Sequence, residues 1–322
     1  MTYKSREPSY TAVGELYHAY FTGLILTVVT RRPNGDAARL MEAVFRHQHE
    51  AKFLSSFEKL GLDKMPDAMA CAAYHYLSNR IGGVDVEYMH ESDRKAWVRF
   101  PPPRWVFDGT AACAIPTDVS RAMLHGWYAR NGVSLGNPKL GFVCTSQIVD
   151  GQHGLAGYFQ EFEHELAPEE RLRFRPGEMP PPFDEAAAPQ LPEREWPVDR
   201  LIKAKRNYAI EYIRTGLPRL AELFGPVDAA FLGRIAGRVI GAQYYKAIAA
   251  RIEIAPGGAA GFAHFMAALA LGEGDEASVN VRGNEAEVER SGWRLARGWG
   301  DQPPELFEAW NGLWEGALMA HD

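Results

Sequence analysis

Thirty-one residues, Ala167 to Pro197, hold eight prolines, three of them consecutive at Pro180, Pro181 and Pro182. Each proline fixes φ, removes a backbone donor and restricts the residue before it, so neither helix nor central strand can run through this stretch. The chain is therefore expected to divide into residues 1–166, a proline-rich linker over 167–197, and residues 198–322. Proline-rich segments act as extended, semi-rigid spacers. Phe174, Phe183, Leu191 and Trp196 indicate that this one lies against a surface.

The two sides resemble one another. Asp36-Ala37-Ala38-Arg39-Leu40 recurs as Asp228-Ala229-Ala230-Phe231-Leu232, and at the same spacing Arg46 meets Arg238 and Phe53 meets Tyr245. Each side then passes through a proline, an alanine-rich helical stretch, an alternating segment ending near a tryptophan, and a further helix. An internal duplication is expected, giving an α+β protein of two related halves, each made of helices and an antiparallel hairpin. In the second half Ser278 to Arg282 and Glu285 to Arg290 flank Gly283-Asn284, a pair suited to a tight hairpin turn. In the first half Val84 to Tyr88 and Lys95 to Phe100 alternate around His90 to Asp93.

A further alternating pair, Leu140 to Leu166, has no counterpart in the second half. A turn at Asp150-Gly151 places Phe142, Cys144, Ser146, Leu155, Gly157 and Phe159 on one face. Val143, Thr145, Gln147, Ala156, Tyr158 and Gln160 take the other. Cys144 then faces Gly157, and a glycine in a strand leaves volume where a ligand can approach.

Composition narrows the function. Lysine plus arginine number 35 against 41 acids, a formal charge of −6, so no basic excess exists for a nucleic-acid partner. Three cysteines do not make a disulfide framework and fit a reducing, cytoplasmic setting. The apolar run Leu16 to Val29 is shorter than a membrane span and has basic residues after it rather than before. It reads as a buried helix, or as one covering a partner subunit in a homodimer. Phosphate-binding, dinucleotide-binding, nucleophile-elbow and zinc-protease fingerprints are all missing from the sequence.

Polar residues on segments that should be buried then mark the candidate site. His49 lies four residues from both Phe45 and Phe53 and should point inward, while His47 and Glu50 share a neighbouring face. His75 sits in a helix too apolar to be exposed all round. The aligned second-half positions carry Val239, Gly241 and Ala242, which puts the chemistry in the first half. His47 and His49 are two apart and cannot grip one ion together, so a divalent metal would need His75, His90 or Glu87 as well. No organic cofactor is expected. Cys71 and Cys113 sit among alanines and read as packing, whereas Cys144 has polar strand neighbours.

Trp97, Trp105, Phe107, Trp127, Tyr128, Tyr158 and Phe159 could wall an aromatic pocket. Arg99 and Arg104 could hold a carboxylate. The expected catalytic group is His49 or His75 as general base, Glu50 orienting it, and Cys144 as nucleophile or wall. Arg99, Arg104, Trp105, Tyr158, Ser146 and Gln147 would contact the substrate. Three activities fit that inventory: hydrolysis of a small cyclic or aromatic substrate, a C–C or C–O lyase acting by proton transfer on an aromatic compound, and small-molecule binding or sensing without catalysis.

The stretch Gly141-Phe142-Val143-Cys144-Thr145-Ser146-Gln147-Ile148-Val149-Asp150-Gly151, with Gly157-Tyr158-Phe159-Gln160, resembles the L-2-amino-thiazoline-4-carboxylic acid hydrolase-like family. The resemblance implies an α+β domain in which helices precede a cysteine-bearing strand pair, and hydrolytic opening of a cyclic thiazoline carboxylate. This chain has Gly157-Tyr158-Phe159-Gln160 where the family's return strand carries a second cysteine-acid motif.

Overall fold

Asp67 to Ile81 is rich in alanine, follows Pro66 and carries an acid in its first turn, the composition and dipole placement that favour a helix. In the computed structural model, which describes residues 6–106, 114–191, 194–254 and 257–321, this helix is α3. Phe107 and Cys113 lie outside the described residues. The full order is α1 (Glu7–Arg31), α2 (Asp36–Leu60), α3 (Asp67–Ile81), β1 (Glu87–Ser92), β2 (Lys95–Phe100), α4 (Thr117–Gly126), α5 (Asn131–Leu135), β3 (Leu140–Ser146), β4 (Leu155–Glu161) and β5 (Leu172–Phe174). It continues with α6 (Val198–Phe224), α7 (Pro226–Arg251), α8 (Gly258–Glu273), β6 (Glu276–Arg282), β7 (Glu285–Ser291) and α9 (Glu305–Ala320). The protein is α+β.

Two compact units form, one from residues 34–197 and one from residues 1–33 together with 198–322. This differs from the expected division at both ends of the first half. Helix α1 packs with α6, α7 and α8, and the proline-rich stretch belongs to the unit that precedes it.

In the unit of residues 34–197 a five-stranded sheet runs in the order β1-β2-β4-β3-β5. Every pairing is antiparallel except β3 with β5. The short β5 comes from the proline-rich stretch, between Pro168 and Pro176, where no proline interrupts the backbone donors. Phe183, further along, packs on the sheet face formed by Met89, Trp97, Val143 and Tyr158. Helix α3 packs on β1, β2 and β4, and its His75 ring stacks on Phe159, so it covers the opposite face. Alternation along β4 separates Phe159 from Tyr158, and this places the two sets of side chains on opposite sides.

The β3–β4 register follows the expected pairing from Leu140↔Glu161 to Cys144↔Gly157. It then shifts by one, so that Ser146 meets Ala156. The connection is longer than a two-residue turn: a helical turn at Ile148–Asp150 ends on Gly151 with φ 76°. Gly157 does not leave open volume beside Cys144. A Cβ there would lie 2.3 Å from the Val143 carbonyl and 2.5 Å from Cζ of Phe142, whose ring already occupies the space.

In the other unit α1 is apolar around most of its circumference, and its side chains are buried by α6, α7 and α8. At 25 residues it is longer than the apolar run within it, and it is the one helix among the described residues long and apolar enough to cross a membrane. Of the two readings of this apolar run, a buried helix or one covering a partner subunit, the first describes α1. Helices α7 and α9 run parallel at backbone contact: Gly233 abuts Ala309, Gly237 abuts Gly312, and Gly241 abuts Leu313 and Ala317. The hairpin β6–β7 turns at Gly283-Asn284 as its sequence predicts. It is tied inward by Arg290, which pairs with Asp275 and with Glu273, while Tyr17 donates to Glu273. Glu273 is fully enclosed.

Candidate active site

The helix-covered side of the sheet gathers three buried polar side chains, His49, His75 and Asn131. On α2, the four-residue spacing of Phe45, His49 and Phe53 turns His49 inward, where it is 1% exposed. Its ring stacks on Phe53 at 4.7 Å between centroids and meets the edge of Trp127 at 5.6 Å. On α3, His75 is 3% exposed and lies nearly parallel to Tyr128, at 3.9 Å, and to Phe159, at 5.3 Å. At the first residue of α5, Asn131 is wholly buried and its Nδ2 donates to His75 Nε2 at 3.0 Å. That bond leaves Nε2 unprotonated and puts the proton of the neutral ring on Nδ1.

Both imidazoles are held neutral. Burial pulls His49 down to about 4, with the Arg130 guanidinium adding to the effect and neighbouring Asn131 opposing it. Burial likewise holds His75 well below the usual histidine range, helped by His49 and by Arg104. A charged imidazole would here lose water and face two guanidinium groups. No well-formed hydrogen bond satisfies either nitrogen of His49, Asn131 Oδ1 or Trp127 Nε1, although Asn131 stands close enough to His49 to favour its protonated form. Four buried polar atoms therefore lie close together, none with a well-formed hydrogen bond, among flat aromatic walls. Buried polar atoms are nearly always hydrogen-bonded, and exceptions concentrate where a water, an ion or a ligand belongs.

The other expected site residues divide sharply. Glu50 points to solvent and pairs with Arg130 at 3.3 Å, so it does not orient His49 directly. His47 is exposed. Arg104 lies over the Phe100 ring at 3.9 Å, with Trp105 at 5.3 Å, and its charge reaches His75. Trp105 adopts φ 61°, an uncommon backbone state for a bulky residue. Arg99 and Tyr158 lie on the far face of the sheet. Arg99 is paired with Glu87, and Tyr158 packs against Trp97 with Lys95 over its ring. The Tyr158 hydroxyl is pushed up to about 12, chiefly by burial.

Cys144 is buried on the same face as Phe142 and Phe159, and its thiol lies 3.6 Å from the Ser146 carbonyl. Burial pushes it up to about 12, so it stands as a thiol and not as a thiolate. Ser146 Oγ donates to the Gly154 carbonyl, and Gln147 Nε2 donates to Asp150, so both serve the β3–β4 connection. Cys71 is buried in α3, and burial raises its thiol as well. Among the described residues no three His, Cys, Asp or Glu side chains are grouped to hold a metal ion.

Sequence reasoning missed Asn131 and Arg130. The signal was present in Trp127-Tyr128-Ala129-Arg130-Asn131, where two polar side chains come one residue after an aromatic pair already identified as pocket wall. In comparisons with known proteins, no family model, curated protein or solved structure matches this chain.

Proposed function

We propose that the unit of residues 34–197 is an enzyme, independent of an organic cofactor, that cleaves a bond in a small cyclic or aromatic substrate by proton transfer at His49. The observation that carries this reading is the grouping, on His49, Asn131 and Trp127, of buried polar atoms without well-formed hydrogen bonds. A neutral imidazole with one donor and one free acceptor can remove a proton from water as the oxygen attacks an electrophilic ring carbon. It can then return that proton to the departing ring atom. Held at about 4, His49 is by itself a weak base. An anionic group placed beside Arg130 or Arg104 would offset the positive surroundings and raise its proton affinity as the substrate binds.

In this reading His75, fixed by Asn131, positions the site, and Cys144 is wall. Arg104, rather than Arg99, meets the anionic group. Hydrolytic ring opening of a thiazoline-like carboxylate, the activity implied by the β3–β4 resemblance, is the form of this chemistry to test first. One observation favours a binding or sensing protein instead: both imidazoles are neutral and both described thiols are held protonated, so no group is primed for attack.

The duplication also forms part of the proposal. The order helix, helix, helix, strand, strand, helix occurs as α1 to α4 and again as α6 to α9, with starts offset by about 190 residues. One ancestral unit would account for both runs, with polar chemistry retained in the first.

Purified protein should be assayed against cyclic amidines and aromatic ethers, with His49→Gln and His75→Gln alongside. Turnover that His49→Gln abolishes supports the enzyme. Tight binding of a panel member without turnover, weakened but not lost in both variants, replaces it with the binding protein.

A further inference from the structure

Among the described residues, five of the most exposed large hydrophobic side chains lie on α7 and α9: Val227 and Phe231 near the start of α7, and Val239, Leu318 and Met319 further along the pair. Phe231 is 57% exposed and Val227 72%. The two stand one helical turn apart, beside a shallow open depression that Arg234, Arg238, Glu305 and Glu308 also line. Scattered apolar residues on a surface need no explanation, whereas a concentrated patch rimmed by charge marks a site of association.

The charges say what fits. Because α7 and α9 run parallel, with Gly233 beside Ala309 and Gly237 beside Gly312, Glu305 and Glu308 stand level with the first turns of α7. Arg234 and Arg238 come later along the same direction. The face is therefore acidic at one end, where Glu305 and Glu308 lie on either side of the level of Phe231, and basic further along, where Arg234 and Arg238 follow. A two-fold axis between the acidic and the basic ends would set each copy's arginines against the other's glutamates and bury Phe231 against the other copy's α7. Within one chain Glu315 meets both Arg234 and Arg238, and all three remain substantially exposed. The pairing is thus open to a second acid.

We infer that this face of α7 and α9 is the homodimer interface, its occupant a second copy of this chain in antiparallel register. It is independent of the chemistry proposed at His49.

Sedimentation velocity across a wide dilution series tests it, using the full-length chain with thermal unfolding as a check on folding. The expected result is a reversible dimer for the unmodified protein and a monomer for Phe231→Asp with an unchanged unfolding transition. Arg234→Glu/Arg238→Glu and Glu305→Lys/Glu308→Lys should each weaken self-association about tenfold or more, and an equimolar mixture of the two should recover the dimer. An unmodified protein that stays monomeric at every concentration overturns the inference, as does a Phe231→Asp dimer. Should either charge variant not fold, the Phe231→Asp comparison alone decides. Charge variants that weaken association without recovery on mixing would overturn the antiparallel register.

Discussion

Asn131 Nδ2 meets His75 Nε2 at 3.0 Å, with Asn131 fully buried and His75 almost so. Neither can turn to water if the other is removed. Asn131→Ala should cost about 1–3 kcal/mol, the usual penalty for stranding a buried polar group. Chemical denaturation measures it. A loss within a few tenths of a kcal/mol would mean that His75 finds another partner.

His49 gives the fold a pH dependence of known sign. Its ordinary value is 6.5 and the folded protein lowers it to about 4, so between these limits the unfolded chain binds more protons than the folded one. Stability from this group is fully present above pH 6.5 and falls as the pH drops toward 4, by roughly 3 kcal/mol in all. His75 is shifted the same way and adds to the slope. Denaturation midpoints of the unmodified protein and of His49→Phe, measured across this window, should differ in slope, with the variant flatter. Parallel slopes would place the depressed histidine elsewhere.

Gly157 is a site of close approach within the sheet. Gly157→Ala would press a methyl group into the Val143 carbonyl and the Phe142 ring, and overpacking of this kind costs about 1–3 kcal/mol. Phe142→Leu, combined with it, should recover only part of that loss, because the carbonyl cannot move without its strand. A fully additive double variant would show that the ring is not the obstacle.

Tyr17 donates to Glu273 in the other unit, and Arg290 completes the group. Tyr17→Phe keeps the ring against Trp310 and removes only the hydroxyl. The expected cost is about 1.5–3 kcal/mol, typical of a hydrogen bond to a charged acceptor. Thermal unfolding of the two proteins supplies the comparison. Glu273→Gln, which retains an acceptor for Tyr17, should cost less than Glu273→Leu.

These contrasts show which features local sequence can carry. The Gly283-Asn284 hairpin and the pairing of Cys144 with Gly157 were legible because both follow from strict alternation about a turn. His49 was legible from its spacing to Phe45 and Phe53. Alternation assigns residues to two faces but does not say which face a helix covers. Tyr158 and Arg99 were therefore grouped with residues from which the sheet separates them. Glu50 is one residue from His49, and a helix turns successive side chains by about 100°, enough to send it to solvent. The contact of Asn131 with His75 spans 56 positions and rests on tertiary packing, which no short-range pattern encodes. The same is true of α1, whose apolar surface announces burial without naming the helices that bury it.

The glycine seam between α7 and α9 fixes how that pair can change. With main chains in direct touch, no layer of side chains remains to flex or repack when a neighbour grows. A Cβ at Gly316 would fall 2.1 Å from the Arg238 carbonyl, so even alanine would have to wedge the rods apart along their common length. The pair is bound to behave as a single stiff strut. Substitutions on its outer surface, Phe231→Asp among them, should leave the joint beneath intact.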